Sequence, residues 1–138
     1  MTPRAMLILI AFTALLAPMP PVRAQSAALA EKFEQKVREY EALDRASPPP
    51  REAILFAGDS QFYRWKTLAE DLPGYTVINR GIDSFQLRDL IHYADRLVLP
   101  YAPRLIVLHV GGNDVHNGRS PEQVLADLQT FVARVRQR

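Results

Sequence analysis

Three short polar segments carry residue types suited to acyl transfer: Gly58-Asp59-Ser60, Asn79-Arg80-Gly81 and Gly111-Gly112-Asn113-Asp114. Each follows an apolar run. A serine hydroxyl becomes a nucleophile once a base takes its proton. Its attack on an ester carbonyl needs N–H donors aimed at the oxygen that turns negative, each worth about 3–4 kcal/mol in mutagenesis. Ser60 opens a helix directly after a strand, where the positive end of the helix dipole and free backbone N–H groups stand. The N–H groups of Ser60 and Gly81 and the side-chain amide of Asn113 can together hold such an oxygen. Taken alone, Ser60 reads as a helix N-cap; in company with Gly81 and Asn113 it reads as a nucleophile. Asp59 and Asp114 flank the motif residues in loops where Asp bonds local N–H groups, so loop stabilisation is the reading for both.

The flanking elements explain how these segments can meet. Ala53–Ala57 and Leu105–Val110 are continuous apolar runs, as strands buried on both faces should be, and Tyr75–Asn79 with Thr76, Val77 and Ile78 reads as another strand. Between them, Phe62, Trp65, Leu68, Ala69 and Leu72 trace one helix, and Leu87, Leu90, Ile91, Ala94 and Leu97 trace another, capped by Asp83 or Ser84. Ser120-Pro121-Glu122-Gln123 is a capping box with proline at the first helical position, ahead of an apolar face of Val124, Leu125, Leu128, Phe131, Val132 and Val135. Strands alternating with helices need right-handed crossovers and give an α/β fold, a parallel sheet with helices on both faces. Ligands of such sheets bind beyond the carboxyl ends of the strands, where all three polar segments fall.

Ahead of this unit, Ala27–Asp44 places Leu29, Phe33, Val37, Tyr40 and Leu43 on one stripe of an amphipathic helix, stopped by Ser47-Pro48-Pro49-Pro50. Residues 1–24 hold Arg4, the apolar run Ala5–Leu16 and Val22-Arg23-Ala24 before Gln25, the layout of a secretory signal peptide. The run is cut by Pro18, Pro20 and Pro21 and falls short of the roughly 20 residues of a transmembrane span. The expected organisation is a leader over 1–24, the helix and a proline-rich linker over 25–50, and an α/β domain over 51–138, exported to a periplasm or secreted.

Of 138 residues, 48% are hydrophobic and 23% charged, which excludes collagen-like, disordered and coiled-coil classes and leaves room for one domain. The chain carries 17 basic and 15 acidic residues, but the leader holds Arg4 and Arg23 and no acid, so the remainder is balanced. No basic stripe marks a nucleic-acid partner. The absence of cysteine is compatible with an oxidising compartment. Neither G-x-x-x-x-G-K-[ST] nor G-x-G-x-x-G nor G-x-S-x-G occurs, which removes the phosphate-loop, Rossmann and α/β-hydrolase readings.

With these residues in view, the chain resembles the GDSL-type, or SGNH, serine esterases and lipases. Gly58-Asp59-Ser60 is similar to the first family block, with Gln61 in place of an aliphatic residue; Asn79-Arg80-Gly81 is similar to the second, and Gly111-Gly112-Asn113-Asp114 to the third. The resemblance runs from about Ile54 to the end. It implies Ser60 as nucleophile, Gly81 and Asn113 as oxyanion donors, Gly58, Asp59, Asn79, Gly111 and Asp114 in support, a small-molecule, lipid or sugar ester as substrate, and no cofactor or metal. It also implies a flavodoxin-like sheet of about five parallel strands, against three here, and an Asp-x-x-His near the C-terminus that supplies the base.

No such pair follows the third block. The histidines are His92 in a helix, His109 in the third strand and His116 in the next loop. The expectation is therefore a C-terminally truncated member with impaired catalysis, or a non-catalytic remnant that serves as a secreted binding module. His116 reads as solvated, and His109, Asp114 and His116 match no standard zinc spacing. Phe62 and Trp65 read as core and Tyr63 as facing solvent.

Overall fold

The computed structural model describes residues 22–137. Along this stretch run α1 (Val22–Ala46), β1 (Ile54–Gly58), α2 (Ser60–Arg64), α3 (Leu68–Asp71), β2 (Val77–Gly81), α4 (Leu87–His92) and α5 (Ala94–Leu97). A 3₁₀ turn at Leu99–Tyr101 leads to β3 (Leu105–His109), α6 (Gly112–His116) and α7 (Pro121–Arg136). The leader expected over 1–24 lies outside the described residues, apart from Val22-Arg23-Ala24, which open α1.

The three strands form one parallel sheet in the order β2-β1-β3. Alternation along each strand sorts side chains into two layers. Leu55 and Ala57 of β1, Ile78 of β2 and Ile106 and Leu108 of β3 face Phe33 and Val37 of α1, Leu87 and Leu90 of α4, Leu97 of α5 and Phe131 of α7. Ile54, Phe56, Val77 and Val107 face the opposite way, onto Phe62, Trp65 and Leu68. The result is the expected three-layer α/β architecture, and Phe62 and Trp65 are core as expected.

Several elements depart from the sequence reading, each for a tertiary reason. The helix expected from Phe62 to Leu72 is broken into α2 and α3, because Asn79 of β2 donates its side-chain amide to the carbonyls of Phe62 (2.7 Å) and Trp65 (3.2 Å). Likewise the helix expected to pass through Leu97 divides at Tyr93, where Arg134 of α7 donates to the Ile91 carbonyl at 3.0 Å. Neither Asp83 nor Ser84 caps α4. Ser84 sits at φ +68°, outside the extended backbone of an N-cap, and Gln86 takes that position, its N–H donating to Asp89 Oδ2 at 2.9 Å. The Ser120 cap and its reciprocal Gln123 contact form as read.

β3 was expected to be buried on both faces. It is an edge strand: β1 is buried throughout, whereas Leu105 is 50% exposed and the three residues after it are only half-buried. Beside it an apolar groove of about 560 Å³ runs between Leu108, Val110 and Val115 and the Val124, Leu125 and Leu128 face of α7. Leu125 on that face and Leu43 on the α1 stripe are exposed instead of packed. No helix among the described residues is long and apolar enough to cross a membrane.

Candidate active site

The strands end level. Gly58 is registered against Gly81 on one side and against His109 on the other, so the loops carrying Ser60, Gly81 and Asn113 leave the sheet along one rim. Gly58 is required there: its φ is +150°, and a β-carbon would stand 1.9 Å from the His109 carbonyl oxygen. Gly81 lies directly under α2, where a β-carbon would come 2.2 Å from the Tyr63 nitrogen. The absence of side chains at these two positions lets the first motif approach the end of β3 and the second motif approach α2.

Asp59, not Ser60, caps α2. Its Oδ1 accepts the Gln61 N–H at 3.1 Å, and Ser60 is the first helical residue. The competing role for Ser60 is thereby filled by its neighbour. Ser60 is half-buried and its hydroxyl has no hydrogen-bond partner among the described residues. α2 is a single turn of five residues, so the dipole support read from the sequence is small.

Asn113 donates one amide hydrogen to the Phe85 carbonyl at 2.9 Å, which fixes the side chain and leaves its second N–H available. Gly81 differs from the sequence reading. Its N–H donates to Asn79 Oδ1 at 2.9 Å, so an oxyanion would have to share or displace that acceptor. Gly111 caps α6 with φ +111°. Asp114 is fully buried and receives the Leu87 N–H on both oxygens, at 3.2 and 3.0 Å, tying the third motif to the start of α4. Asp59 and Asp114 thus stabilise backbone as read, and Asp114 does so at long range.

Arg80, between the motif residues, is buried against α1. Its guanidinium pairs with Asp44, donates Nε to the Tyr101 hydroxyl at 2.8 Å, and is flanked by the Tyr40 and Tyr101 rings at 4.8 and 4.7 Å. Burial, first, pushes both tyrosine hydroxyls up to about 12. Arg80 is thus a packed ion pair inside the second motif. Tyr63, expected to face solvent, is half-buried, and Lys66 lies over its ring at 4.0 Å.

Sequence reasoning missed one pairing. His109 Nδ1 lies 3.0 Å from Asp59 Oδ1. The two are 50 residues apart and meet only because β1 and β3 are adjacent; the one signal available was their equivalent places at two strand ends. His116 is exposed at the end of α6. An Asp-x-x-His spacing does occur at Asp89–His92, within α4, but Asp89 serves the Gln86 N–H and His92 packs edge-on against Tyr93 at the end of α4 away from the rim. Among the described residues no three His, Asp or Glu side chains converge as metal ligands.

The sequence profile of the GDSL-like Lipase/Acylhydrolase family matches residues 49–138, and the chain belongs to that family. A solved structure from Streptococcus pneumonia, provisionally described as a platelet activating factor, matches with a TM-score of 0.70 at 24% identity. The match covers 84% of this chain and 54% of that one, so the chain spans about half the length of the structure it resembles. No curated protein sequence matches.

Proposed function

We propose that the protein is an exported hydrolase of carboxylic esters. Ser60 attacks the acyl carbon to form an acyl-enzyme, and Asn113 and Gly81 hold the oxyanion. The observation that carries this reading is the unengaged Ser60 hydroxyl: Asp59 has taken over the cap of α2, while Asn113 keeps a free N–H on the same rim. Family membership supports the reaction class. Export rests on the residue pattern of 1–24.

A second reading, a secreted binding module without chemistry, is favoured by one observation. The Gly81 N–H already has a partner in Asn79 Oδ1, and an oxyanion hole with a satisfied donor is weakened. A fluorophosphonate probe separates the two. The esterase reading expects covalent labelling that maps to Ser60 and vanishes in Ser60→Ala, along with slow hydrolysis of short p-nitrophenyl esters; a folded chain that takes no label overturns it in favour of the binding module.

A further inference from the structure

Family membership sets the reaction class and leaves the ester itself open; the charges gathered around Tyr63 bear on that choice. Tyr63 stands three residues after Ser60 on α2, and side chains so spaced share a helix face with their Cβ atoms about 5–6 Å apart. Its N–H donates to the Asp59 carbonyl at 3.0 Å, and Gly81 packs directly against its nitrogen. From Gly81 the chain runs straight into Ile82 and Asp83. Between Tyr63, Ile82 and Asp83 on one side and Lys32 and Lys36 of α1 on the other lies a recess of about 210 Å³. It is thus one helical turn from the proposed nucleophile and next in sequence to a proposed oxyanion donor.

Cations outnumber acids in this recess and on its flank. Lys36 Nζ lies over the Tyr40 ring at 4.9 Å and the Tyr63 ring at 5.6 Å, and Lys66 Nζ lies over the Tyr63 ring at 4.0 Å. Lys32 and Arg64 both reach Asp83, at 3.4 and 3.3 Å, longer than the roughly 2.7–2.9 Å of a well-made charged hydrogen bond. Glu39 accepts from Lys36 at 2.8 Å. Four cations therefore share two carboxylates, and their N–H donors exceed the acceptors that these acids supply. The Lys36 side chain is only 26% exposed, so its amine is already held in place between the rings. Past Lys36 and Tyr63 a second recess of about 260 Å³ continues toward Trp65 and Lys66. Asp71 beside Trp65 is taken up by the indole N–H at 2.6 Å and the Thr67 hydroxyl at 2.7 Å.

We propose that the recess is an anion subsite, so that the preferred substrates are esters bearing a carboxylate or phosphate a short chain away from the scissile bond. The proposal rests on the esterase reading above and names its substrate class. Lys32 and Lys36 hold the anion as point charges, and Arg64 and Lys66 add to the field that draws it in. The Tyr63 ring gives the connecting chain an apolar surface between Ser60 and the two lysines. An incoming anion competes with the long Asp83 contacts and breaks no tight pair there.

The test has a kinetic arm and a binding arm, both on the full chain with folding of each variant followed by circular dichroism. The first compares mono-p-nitrophenyl adipate with its methyl ester, which places the charge on the acyl side, and 4-acetoxybenzoate with 4-acetoxybenzamide, which places it on the alcohol side. In at least one pair kcat/KM should be about fivefold or more higher for the anion, as two half-exposed ion pairs allow. That ratio should fall toward one when Lys32→Gln and Lys36→Gln are combined, and also at high salt. Arg136→Gln, which removes an exposed cation at the end of α7, should preserve it. A ratio that the combined substitution leaves unchanged overturns the subsite and leaves the esterase reading standing. The second arm titrates adipate and butyl phosphate, neither a carboxylic ester, into the isotope-labelled chain. Amide shifts at Lys32, Tyr63 and Asp83 are expected, and their loss in the combined variant supports the site. A chain that turns over none of the esters removes the esterase reading, and the shifts then decide the anion site by themselves; no shift at these amides overturns it.

Discussion

The Tyr40 hydroxyl donates a 2.6 Å hydrogen bond to the Gly81 carbonyl oxygen, joining the N-terminal helix to the second motif. With the Arg80–Asp44 pair and the two flanking rings, this contact gives α1 a role that amphipathicity alone does not reveal: it clamps the end of β2, where Gly81 is the proposed oxyanion donor. Tyr40→Phe removes the hydroxyl and keeps the ring over Arg80. The expected cost is about 1 kcal/mol, read as a lower urea midpoint at unchanged m-value, together with slower labelling of Ser60.

Asp114 anchors the third motif from inside. Asp114→Ala leaves the Leu87 N–H buried without its acceptor, with an expected loss of about 1–3 kcal/mol. His116→Ala, two residues away and exposed, should stay within about 0.5 kcal/mol of wild type. Thermal unfolding of the two variants side by side checks the contrast, and equal losses would contradict the assignment of Asp114 as the internal anchor.

Stability should fall at both ends of the pH scale. Glu34 is held down to about 2, first by its hydrogen bonds to Arg96 and next by those to Arg38, and Glu41 is lowered first by Arg96. A carboxyl with a depressed folded value stabilises above its unfolded value and loses that contribution as pH falls through the folded one. The Arg96 contacts between α5 and α1 should therefore fade from the ordinary 4.5 toward about 2. Glu34→Gln should flatten that part of a urea-midpoint profile. Tyr40 and Tyr101 act in the opposite sense: raised from 10.0 to about 12, their contribution is complete below the unfolded value and is lost as pH climbs from 10.0 to about 12.

The open side of β3 carries Leu105, with Val115 and Leu125 exposed nearby. An uncovered apolar edge strand pairs readily with other chains, and lysine on such an edge opposes that pairing. Leu105→Lys should leave the unfolding midpoint nearly unchanged and reduce concentration-dependent light scattering. Unaltered scattering would show that the edge is not the source of association.

Much of the fold is legible from local rules. Ala53–Ala57 reads as a buried strand because its residues are uniformly apolar and bounded by Gly58; the Ser120 box and Pro121 mark the start of α7 because capping involves residues three apart. That Ser60, Gly81 and Asn113 share one rim is legible because each lies at or shortly after the carboxyl end of a strand, and parallel strands end on one rim. Less legible are the helix breaks at Trp65 and Tyr93, since the groups that take the carbonyls, Asn79 and Arg134, belong to other elements. The burial of β3 is misread for a related reason: an apolar run states what a strand can tolerate, while its neighbours decide what covers it.

The alternation of strands with helices, the start of α7 and the residue types along the rim follow from the sequence by itself, because they depend on spacings of one to four residues. Tertiary structure alone decided that Asp59 would meet His109 and that Tyr40 would clamp Gly81 from α1. Those contacts join residues that parallel register and helix docking bring together across as many as 50 positions, and no local propensity encodes such a meeting.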